Sequence, residues 1–272
     1  MSETASPATP TAASPTAAGR TAAGPTGTSP TGTSPTGTNA SATSPSTADQ
    51  GRAANRGSAG DLGSAGDQES AADQGIEAWF AAPVLTGALV RLEPMALDHV
   101  DGFLAAADDE VLRHLSIPPL RTRDDVVQWV GRVFAARDDR VLVPWTQVDS
   151  RTGEVAGTTS YYEVSPVTRS VAIGYTWLGQ RWWRTGVNTE AKLLLLQRAF
   201  EELGAVRVVW HTDIRNDRSQ AAIARLGAER EGVLRKHKPR RDGSWRDTVQ
   251  YAMTDDDWPG VRDRLRARLA AA

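Results

Sequence analysis

The sequence predicts a mixed α/β domain preceded by a low-complexity N-terminal tail. Segments with alternating apolar residues, typical of strands, are interleaved with segments whose apolar residues recur at helical spacing. One strand-like segment, Ser170 to Leu178, leads into a glycine-containing basic loop and then into a strongly apolar helix. The composition also changes sharply near residue 75, which separates the tail from the part of the chain able to form a core.

The tail, residues 1–75, consists almost entirely of Ala, Ser, Thr, Pro and Gly with scattered Asp, and it contains no aromatic residue. Such a segment cannot bury enough apolar surface to offset the chain entropy lost on folding, so we expect it to be disordered. We expect this tail to act as a spacer; the alternative is that it tethers the domain to a partner. The expected organisation is therefore a disordered tail (1–75), a linker (76–85), one α/β domain (86–257) and a C-terminal basic helix (258–272).

The composition excludes several classes of function. The chain has no cysteine, which excludes disulfides, thiolate metal sites and a cysteine nucleophile. The formal net charge of -2 does not favour nucleic acid as the main partner. We see no secretory signal and no apolar segment approaching the roughly 20 residues that span a bilayer, so we expect a cytoplasmic protein with no membrane partner. The four histidines lack metal-ligand spacing, and no metal is expected.

The first half of the domain is expected to begin with a strand and two helices. Asp98 is expected to cap the first helix and Thr122 the second, because both residue types accept hydrogen bonds from free helix amides. The two helices are expected to flank a substrate pocket. The expected helices are His99–Ala107 and Arg123–Ala136, and the expected strands of this half are Ala88–Pro94, Val143–Asp149 and Glu154–Glu163.

The second half continues with strands and helices in alternation. The run Leu193 to Leu196 is too continuous for a surface helix, so this helix should be covered on most sides, as when it lies across a sheet. The other elements expected here are the strands Ser170–Leu178 and Val206–Trp210, the helix Arg218–Leu226, a hairpin of Gly232–Lys238 with Trp245–Met253, and a closing helix Trp258–Ala270.

The loop ahead of the leucine-rich helix is a candidate anion site. The first amides of a helix lack intrahelical partners and lie at the positive end of its dipole, so the amides around Arg184 to Asn188 can converge on a phosphate. Gly186 would allow a close approach of the backbone, and Arg181 and Arg184 add positive charge. The alternative is an ordinary connection between a strand and a helix with a solvated basic turn.

Four short motifs follow one another in a distinctive order and spacing. They are Arg181-Trp-Trp-Arg184-Thr-Gly186, Asn188-Thr-Glu-Ala191, Asn216-x-x-Ser219 and Ile223-Ala-Arg-Leu-Gly-Ala228. Together they resemble the GNAT acetyltransferases, and within them the branch of ribosomal-protein N-terminal alanine acetyltransferases, over about residues 86 to 257. The resemblance implies the GNAT fold, in which helices flank a mixed central sheet that splays between its fourth and fifth strands.

The resemblance also implies acetyl-CoA as cosubstrate. Its diphosphate would lie on the amides of the loop, and its pantetheine arm would lie in the gap between the splayed strands, paired with backbone groups of the fourth strand. The family usually has glycine at the position of Arg184. The implied contacts are Tyr175, Trp177, Leu178, Arg181, Arg184, Thr185, Gly186, Val187, Asn188, Asn216 and Ser219.

The implied reaction is direct attack of an amine on the thioester. An amide near Trp177 or Leu178 would stabilise the oxyanion. Many GNAT enzymes protonate the leaving thiolate with a tyrosine whose position here is Ile223. The resemblance to the ribosomal-protein branch, in which a serine stands at this place, implies that Ser219, the nearest hydroxyl on the same helix, is the acid. The alternative is that Ser219 and Asn216 only cap the helix. The candidate bases lie at strand ends near the splay and are Glu163 and His211, with Asp213 as a third.

We therefore expect an acetyl-CoA-dependent N-acetyltransferase whose acceptor is a primary amine, on a protein N-terminus or a small molecule. A homodimer is the expected assembly. One alternative is a non-catalytic acyl-CoA sensor, which the residues Ile223 and Arg184 favour. A second is a nucleic-acid-binding domain that uses the basic segments 230–246 and 262–268, with binding that weakens steeply as salt rises.

Overall fold

A computed structural model describes residues 75–115 and 117–271. The tail predicted for residues 1–75 therefore lies, except for its last residue, outside the described residues. The helices are α1 (75–80), α2 (Val100–Ala106), α3 (Asp109–Leu112), α4 (Arg123–Asp138), α5 (Val187–Gln197), α6 (Asp217–Leu226) and α7 (Trp258–Ala270). The strands are β1 (Leu85–Thr86), β2 (Val90–Pro94), β3 (Leu142–Asp149), β4 (Val155–Ser165), β5 (Ser170–Leu178), β6 (Arg207–Asp213), β7 (Glu229–Pro239) and β8 (Trp245–Thr254).

The strands form one mixed sheet in the order β1-β2-β3-β4-β5-β6-β8-β7. Neighbouring strands are antiparallel except for β5 and β6, which are parallel. The pairing of β5 with β6 covers only Ser170–Ala172 against Arg207–Val209, after which both strands continue without pairing to each other. This confirms the predicted mixed sheet that opens between the strand ending at Leu178 and the strand that follows it.

Several element boundaries agree with the sequence predictions. Both β5 and α7 begin and end at the predicted residues. The hydroxyl of Thr122 accepts a hydrogen bond from the amide of Asp125 and caps α4, as predicted. The cap predicted for Asp98 is wrong, because Asp98 lies inside a 3₁₀ turn, Leu97–His99, that precedes α2. The short elements β1 and α3 were not predicted.

Residues 76–85, which we expected to form a linker, pack onto the domain instead. The side chain of Trp79 is buried in the core. The guanidinium of Arg198 donates hydrogen bonds to the carbonyls of Ala78 at 2.6 Å and Ala81 at 3.2 Å, and the indole of Trp145 donates to the carbonyl of Pro83 at 2.8 Å. This segment is therefore part of the folded domain.

The two faces of the sheet carry different layers. Helix α5 covers one face, where the Tyr161 hydroxyl donates a hydrogen bond to the carbonyl of Leu195. Helices α2 and α4 cover the opposite face, where Phe103 and Trp129 pack against Trp177 with ring centroids 5.8 and 6.0 Å away. Helix α7 packs on the outer side of α5, which explains why the leucine run is buried almost all round, as predicted.

Candidate active site

The loop between β5 and α5 adopts the backbone conformation that a glycine would favour. After a 3₁₀ turn over Gln180–Trp182, Arg184 has a φ of 62°, in the left-handed region. A residue with a side chain pays about 1–2 kcal/mol to adopt this conformation. The resemblance noted above implies a glycine at the position of Arg184, and the left-handed φ of Arg184 is the conformation that a glycine would adopt without strain.

The start of α5 leaves backbone amides available. Its N-cap residue, Gly186, provides no side-chain cap, and the amide of Val187 makes a long contact of 3.3 Å to the hydroxyl of Thr185. Within the described residues, the amides of Gly186, Asn188 and Thr189 have no hydrogen-bond acceptor. Uncapped amides at the positive end of a helix dipole form a site suited to a phosphate.

Gly186 itself serves packing more than conformation. Its φ of -68° is ordinary for any residue. A Cβ at this position would collide with the side chain of Leu89, in the turn between β1 and β2. Leu89 therefore fills the space beside the Cα atom of Gly186. This space does not account for the predicted close approach of a phosphate to the backbone.

The carboxylate of Glu190 holds the start of α5 against β2. It accepts hydrogen bonds from the amides of Ala88 at 3.0 Å, Leu89 at 2.6 Å and Val90 at 2.8 Å. Gly87 makes room for this contact, since a Cβ there would collide with the carboxylate. The candidate anion site at the start of α5 is thus held in place by a carboxylate whose hydrogen bonds are all to the backbone.

The two predicted arginines differ in their availability. Arg181 forms an ion pair with Glu154 and stacks on Trp182, with its guanidinium carbon 3.9 Å from the ring centroid. Arg184 has no carboxylate partner among residues 75–115 and 117–271. It lines a cavity of about 510 Å³ beside the start of α5, together with Arg151 and the predicted contacts Thr185, Gly186 and Val187. Arg184 is therefore the charge available to an anion.

A β-bulge lies where β5 leaves β6. The register of β4 and β5 shifts between Thr158 and Ser160, and Tyr175 on the partner strand has a φ of 50°. Tyr175 packs against Tyr162 with ring centroids 5.2 Å apart, and its side chain is 47% exposed. A bulge re-aims the backbone locally. This bulge redirects the backbone of β5 near the point where β5 and β6 stop pairing.

The other predicted contacts on β5 are partly engaged within the fold. The carbonyl of Leu178 accepts a hydrogen bond of 2.7 Å from the indole of Trp183. The side chain of Trp177 is buried against α2 and α4. A ligand that pairs with this strand would therefore use backbone groups other than the carbonyl of Leu178.

The start of α6 lies beside the loop that precedes α5. The guanidinium of Arg218 stacks on Trp183 at 3.8 Å from the ring centroid. The side-chain oxygen of Asn216 accepts a hydrogen bond of 3.0 Å from the amide of Ser219 and caps α6. The hydroxyl of Ser219 is half-buried and forms no hydrogen bond within the described part of the chain. Asn216 and Ser219 are thus brought next to the candidate anion site.

Glu163 and His211 lie together on the other side of the gap. The Nδ1 atom of His211 is 3.8 Å from a carboxylate oxygen of Glu163 and 2.9 Å from the hydroxyl of Tyr162. Its Nε2 atom is 3.1 Å from the side-chain oxygen of Gln250, whose nitrogen donates to Glu231. The orientation of Gln250 makes Nε2 the donor, so Nδ1 accepts from Tyr162. Glu163 is half-exposed, whereas the imidazole is buried.

Asp213, the third candidate base, is engaged elsewhere. Burial raises its pKa, but hydrogen bonds from Arg240 at 2.6 and 2.8 Å and from the amide of Arg215 outweigh burial and hold the pKa below its usual value. A carboxylate held this firmly in its ionised form is a poor proton acceptor. Among the three candidate bases, Glu163 and His211 are therefore better suited than Asp213 to accept a proton.

Sequence reasoning did not single out Tyr162, Glu190 or Lys192. Burial raises the pKa of Tyr162, which keeps its hydroxyl protonated as a donor to His211. Glu190 and Lys192 are buried on α5. The sequence did contain a signal for Glu190 and Lys192, since both are charged and both lie next to the apolar run that ends at Leu196. Ionisable side chains are rarely buried without a partner or a function.

No group of histidine, aspartate and glutamate within the described residues is arranged to hold a metal ion. Across the same residues, no helix has the length and apolar character needed to cross a membrane.

Comparison with known proteins places the motifs in context. Residues 90–229, slightly more than half of the chain, match the family model of the acetyltransferase (GNAT) domain. The crystal structure of a proposed acetyltransferase from T. thermophilus has a TM-score of 0.63 at 41% sequence identity, over 68% of this chain and 96% of that one.

Two further relatives are known by sequence. The uncharacterized N-acetyltransferase YoaA of Bacillus subtilis (strain 168) is 25% identical over 153 residues, which are 56% of this chain and 84% of YoaA. The ribosomal protein uS5-alanine N-acetyltransferase of Escherichia coli (strain K12) is 35% identical over 89 residues, which are 32% of this chain and 45% of that protein. Both are described as N-acetyltransferases.

Proposed function

The chain belongs to the GNAT acetyltransferase family, and we propose that it transfers an acetyl group from acetyl-CoA directly to a primary amine. The observation that carries the proposal is the uncapped start of α5 beside the point where β5 and β6 part. This arrangement offers a phosphate site and, next to it, a gap between two strands. An anion and an extended arm attached to it can be bound side by side.

The residues at the site fit acetyl-CoA. The side-chain oxygen of Asn188 is buried with no donor among the residues described, so it can accept a hydrogen bond from a ligand. Arg184 adds an available charge. When bound, acetyl-CoA supplies the thioester carbonyl that is attacked and the thiolate that leaves. The proposed contacts remain Tyr175, Trp177, Leu178, Arg181, Arg184, Thr185, Gly186, Val187, Asn188, Asn216 and Ser219.

Glu163 and His211 are the proposed base. The exposed carboxylate of Glu163 can meet an incoming amine, and the Nδ1 atom of His211 can receive a proton through the hydroxyl of Tyr162. The acetyl group needs no covalent carrier on the protein, since the chain has no cysteine and the amine attacks directly.

The proposed acceptor is a protein N-terminus, with a small-molecule amine as the alternative. Deprotonating a lysine amine of pKa near 10.4 at pH 7 costs about 4.6 kcal/mol, whereas an α-amine near 8 costs only about 1.4 kcal/mol. A relative that is named for acetylating an alanine of ribosomal protein uS5 also supports an α-amine. We further propose a cytoplasmic location, where acetyl-CoA is available, and the homodimer stays a prediction.

A non-catalytic acyl-CoA sensor is the second candidate, because Ile223 is buried at the position of the family's catalytic tyrosine. A screen separates the two. Acetyl-CoA is incubated with peptides that begin with alanine and with a panel of small amines, while thiol release is followed and products are identified by mass spectrometry. We expect acetylated product and thiol in equal amounts with at least one amine. Calorimetric binding of acetyl-CoA without product from any amine supports the sensor.

Ser219 is the proposed acid, and its replacement by alanine is expected to lower kcat about 100-fold, the lower end of the usual effect of general acids. The KM for acetyl-CoA should change little. The variant keeps the cap of α6 because Ser219 contacts Asn216 through its amide. Steady-state kinetics on the best amine of the screen checks this. An unchanged kcat would leave Ser219 as part of the helix start only.

A further inference from the structure

A buried lysine lies on the face of α5 that covers the sheet. The amine of Lys192 donates hydrogen bonds to the hydroxyl of Thr159 on β4 at 2.8 Å and to the hydroxyl of Thr176 on β5 at 2.7 Å. The two hydroxyls are themselves 2.8 Å apart. The residue is only 4% exposed, and no carboxylate among the described residues forms an ion pair with its amine.

The position of Thr176 connects this lysine to the gap. Thr176 follows the bulge at Tyr175 and lies four residues beyond Ala172, the last residue of β5 paired with β6. It is half-buried, whereas Thr159 is fully buried. The Thr176 hydroxyl, which also donates to the carbonyl of Gly174 at 3.3 Å, therefore joins a buried amine to the part of β5 that is not paired with β6.

A packing role alone does not explain this arrangement. Burial lowers the pKa of Lys192 to about 7, and no charged side chain contributes to the shift. A lysine retained there costs free energy, because its charged form loses hydration without gaining a counter-ion. An apolar residue of similar length would fill the same space. Groups held at such a cost are found preferentially at functional sites.

We propose that the hydroxyl of Thr176 donates a hydrogen bond to the oxyanion formed from the thioester, and that Lys192 is the positioning residue that orients and polarises this hydroxyl. The inference rests on the proposed acetyl transfer. It adds a side-chain donor to the oxyanion site, for which the sequence suggested only an amide near Trp177 or Leu178.

The step balances without a change in either residue. The amine nitrogen bonds to the carbonyl carbon, and the π electron pair moves onto the oxygen, which accepts the hydrogen bond of the Thr176 hydroxyl in place of the Gly174 carbonyl. On collapse this pair re-forms the carbonyl, the carbon–sulfur bond breaks and its electrons leave with sulfur. Thr176 and Lys192 keep their protons throughout, and the ammonium of Lys192 stabilises the negative charge through the hydroxyl.

The sign of the pH dependence follows from the charge of Lys192. Its folded-state pKa of about 7 lies below the usual lysine value, so the ammonium that supports the oxyanion is present below pH 7 and is lost as the pH rises through about 7. We therefore expect a fall in kcat on the alkaline side that belongs to Lys192, in addition to the rise caused by deprotonation of the acceptor amine.

Three variants of the full chain test the proposal on the best amine of the screen. Thr176→Val removes the hydroxyl while keeping the shape, and should lower kcat about 100-fold with little change in the KM for acetyl-CoA, the usual effect of losing one oxyanion donor. Lys192→Met should lower kcat and abolish its alkaline fall. Thr159→Val is the matched control, since it removes the other partner of Lys192 at a fully buried position on β4, and should lower kcat at most about tenfold.

A Thr176→Val enzyme with the kcat of the wild type overturns the proposal, and so does a Lys192→Met enzyme whose pH profile keeps the alkaline fall. If Lys192→Met does not fold, Thr176→Val decides alone. Either result would be obtained while the wild-type enzyme is active, so it would contradict only this inference and not the proposed acetyl transfer. Absence of turnover by the wild type on every amine instead contradicts the proposed function, and this inference with it.

Discussion

Replacing Glu190 with alanine is expected to lower the free energy of unfolding by about 4 kcal/mol. The carboxylate is the acceptor for three consecutive amides, those of Ala88, Leu89 and Val90. Alanine leaves these donors without a partner in a partly or fully buried place, and each unsatisfied buried donor costs about 1–3 kcal/mol before relaxation and water entry reduce the sum. Denaturant unfolding, followed by tryptophan fluorescence, measures the change.

Two further variants accompany Glu190→Ala: a milder substitution at the same residue and a control at an exposed glutamate. Glu190→Gln keeps one acceptor oxygen and should lose about half as much. Glu229→Ala removes an exposed glutamate and should stay within about 0.5 kcal/mol of the wild type. Because Glu190 fixes the start of α5, its loss should also weaken acetyl-CoA binding. A loss of stability below about 1 kcal/mol would mean that water replaces the carboxylate at little cost.

Replacing His211 with asparagine is expected to lower kcat/KM for the acceptor about 100-fold. The Oδ1 atom of asparagine can take the place of Nδ1 and accept the hydrogen bond from Tyr162, so the variant removes the proton acceptor while keeping the local packing. Kinetics at constant pH with saturating acetyl-CoA measures the effect. A loss of less than about threefold would remove His211 from the proposed base.

His237 provides the control for this experiment. Its ring lies 5.7 Å from that of His211, but within the described residues it forms no hydrogen bond to Tyr162 or Glu163. His237→Asn should therefore change kcat/KM by less than about twofold. Equal losses in both variants would indicate a general disturbance of β7 and β8 rather than a lost base.

The features predicted correctly are those encoded in short stretches of sequence. The β-branched and aromatic residues of Ser170 to Leu178 indicated β5, and the continuous leucines indicated a helix covered on most sides. The capping pattern at Thr122 specified the start of α4. The splay of the sheet came from the family resemblance, because no local pattern shows where two strands stop pairing.

The features that were missed depend on contacts between distant residues. Glu190 meets amides about 100 positions earlier, and Trp79 packs into a core formed by much later segments. The engagement of Arg181 with Glu154 and the network of Lys192 also join separate strands and helices. Residue types alone give charge and size at these positions. They do not give the partner that decides whether a charge is available to a ligand.

The central claim is that the start of α5 binds the diphosphate of acetyl-CoA. Isothermal titration with acetyl-CoA and with S-acetylpantetheine, which carries the same thioester without the nucleotide diphosphate, tests it most directly. We expect acetyl-CoA to bind at least about 100-fold more tightly, a difference of about 2.7 kcal/mol. Equal affinity for the two compounds, or no binding of either, would contradict the claim.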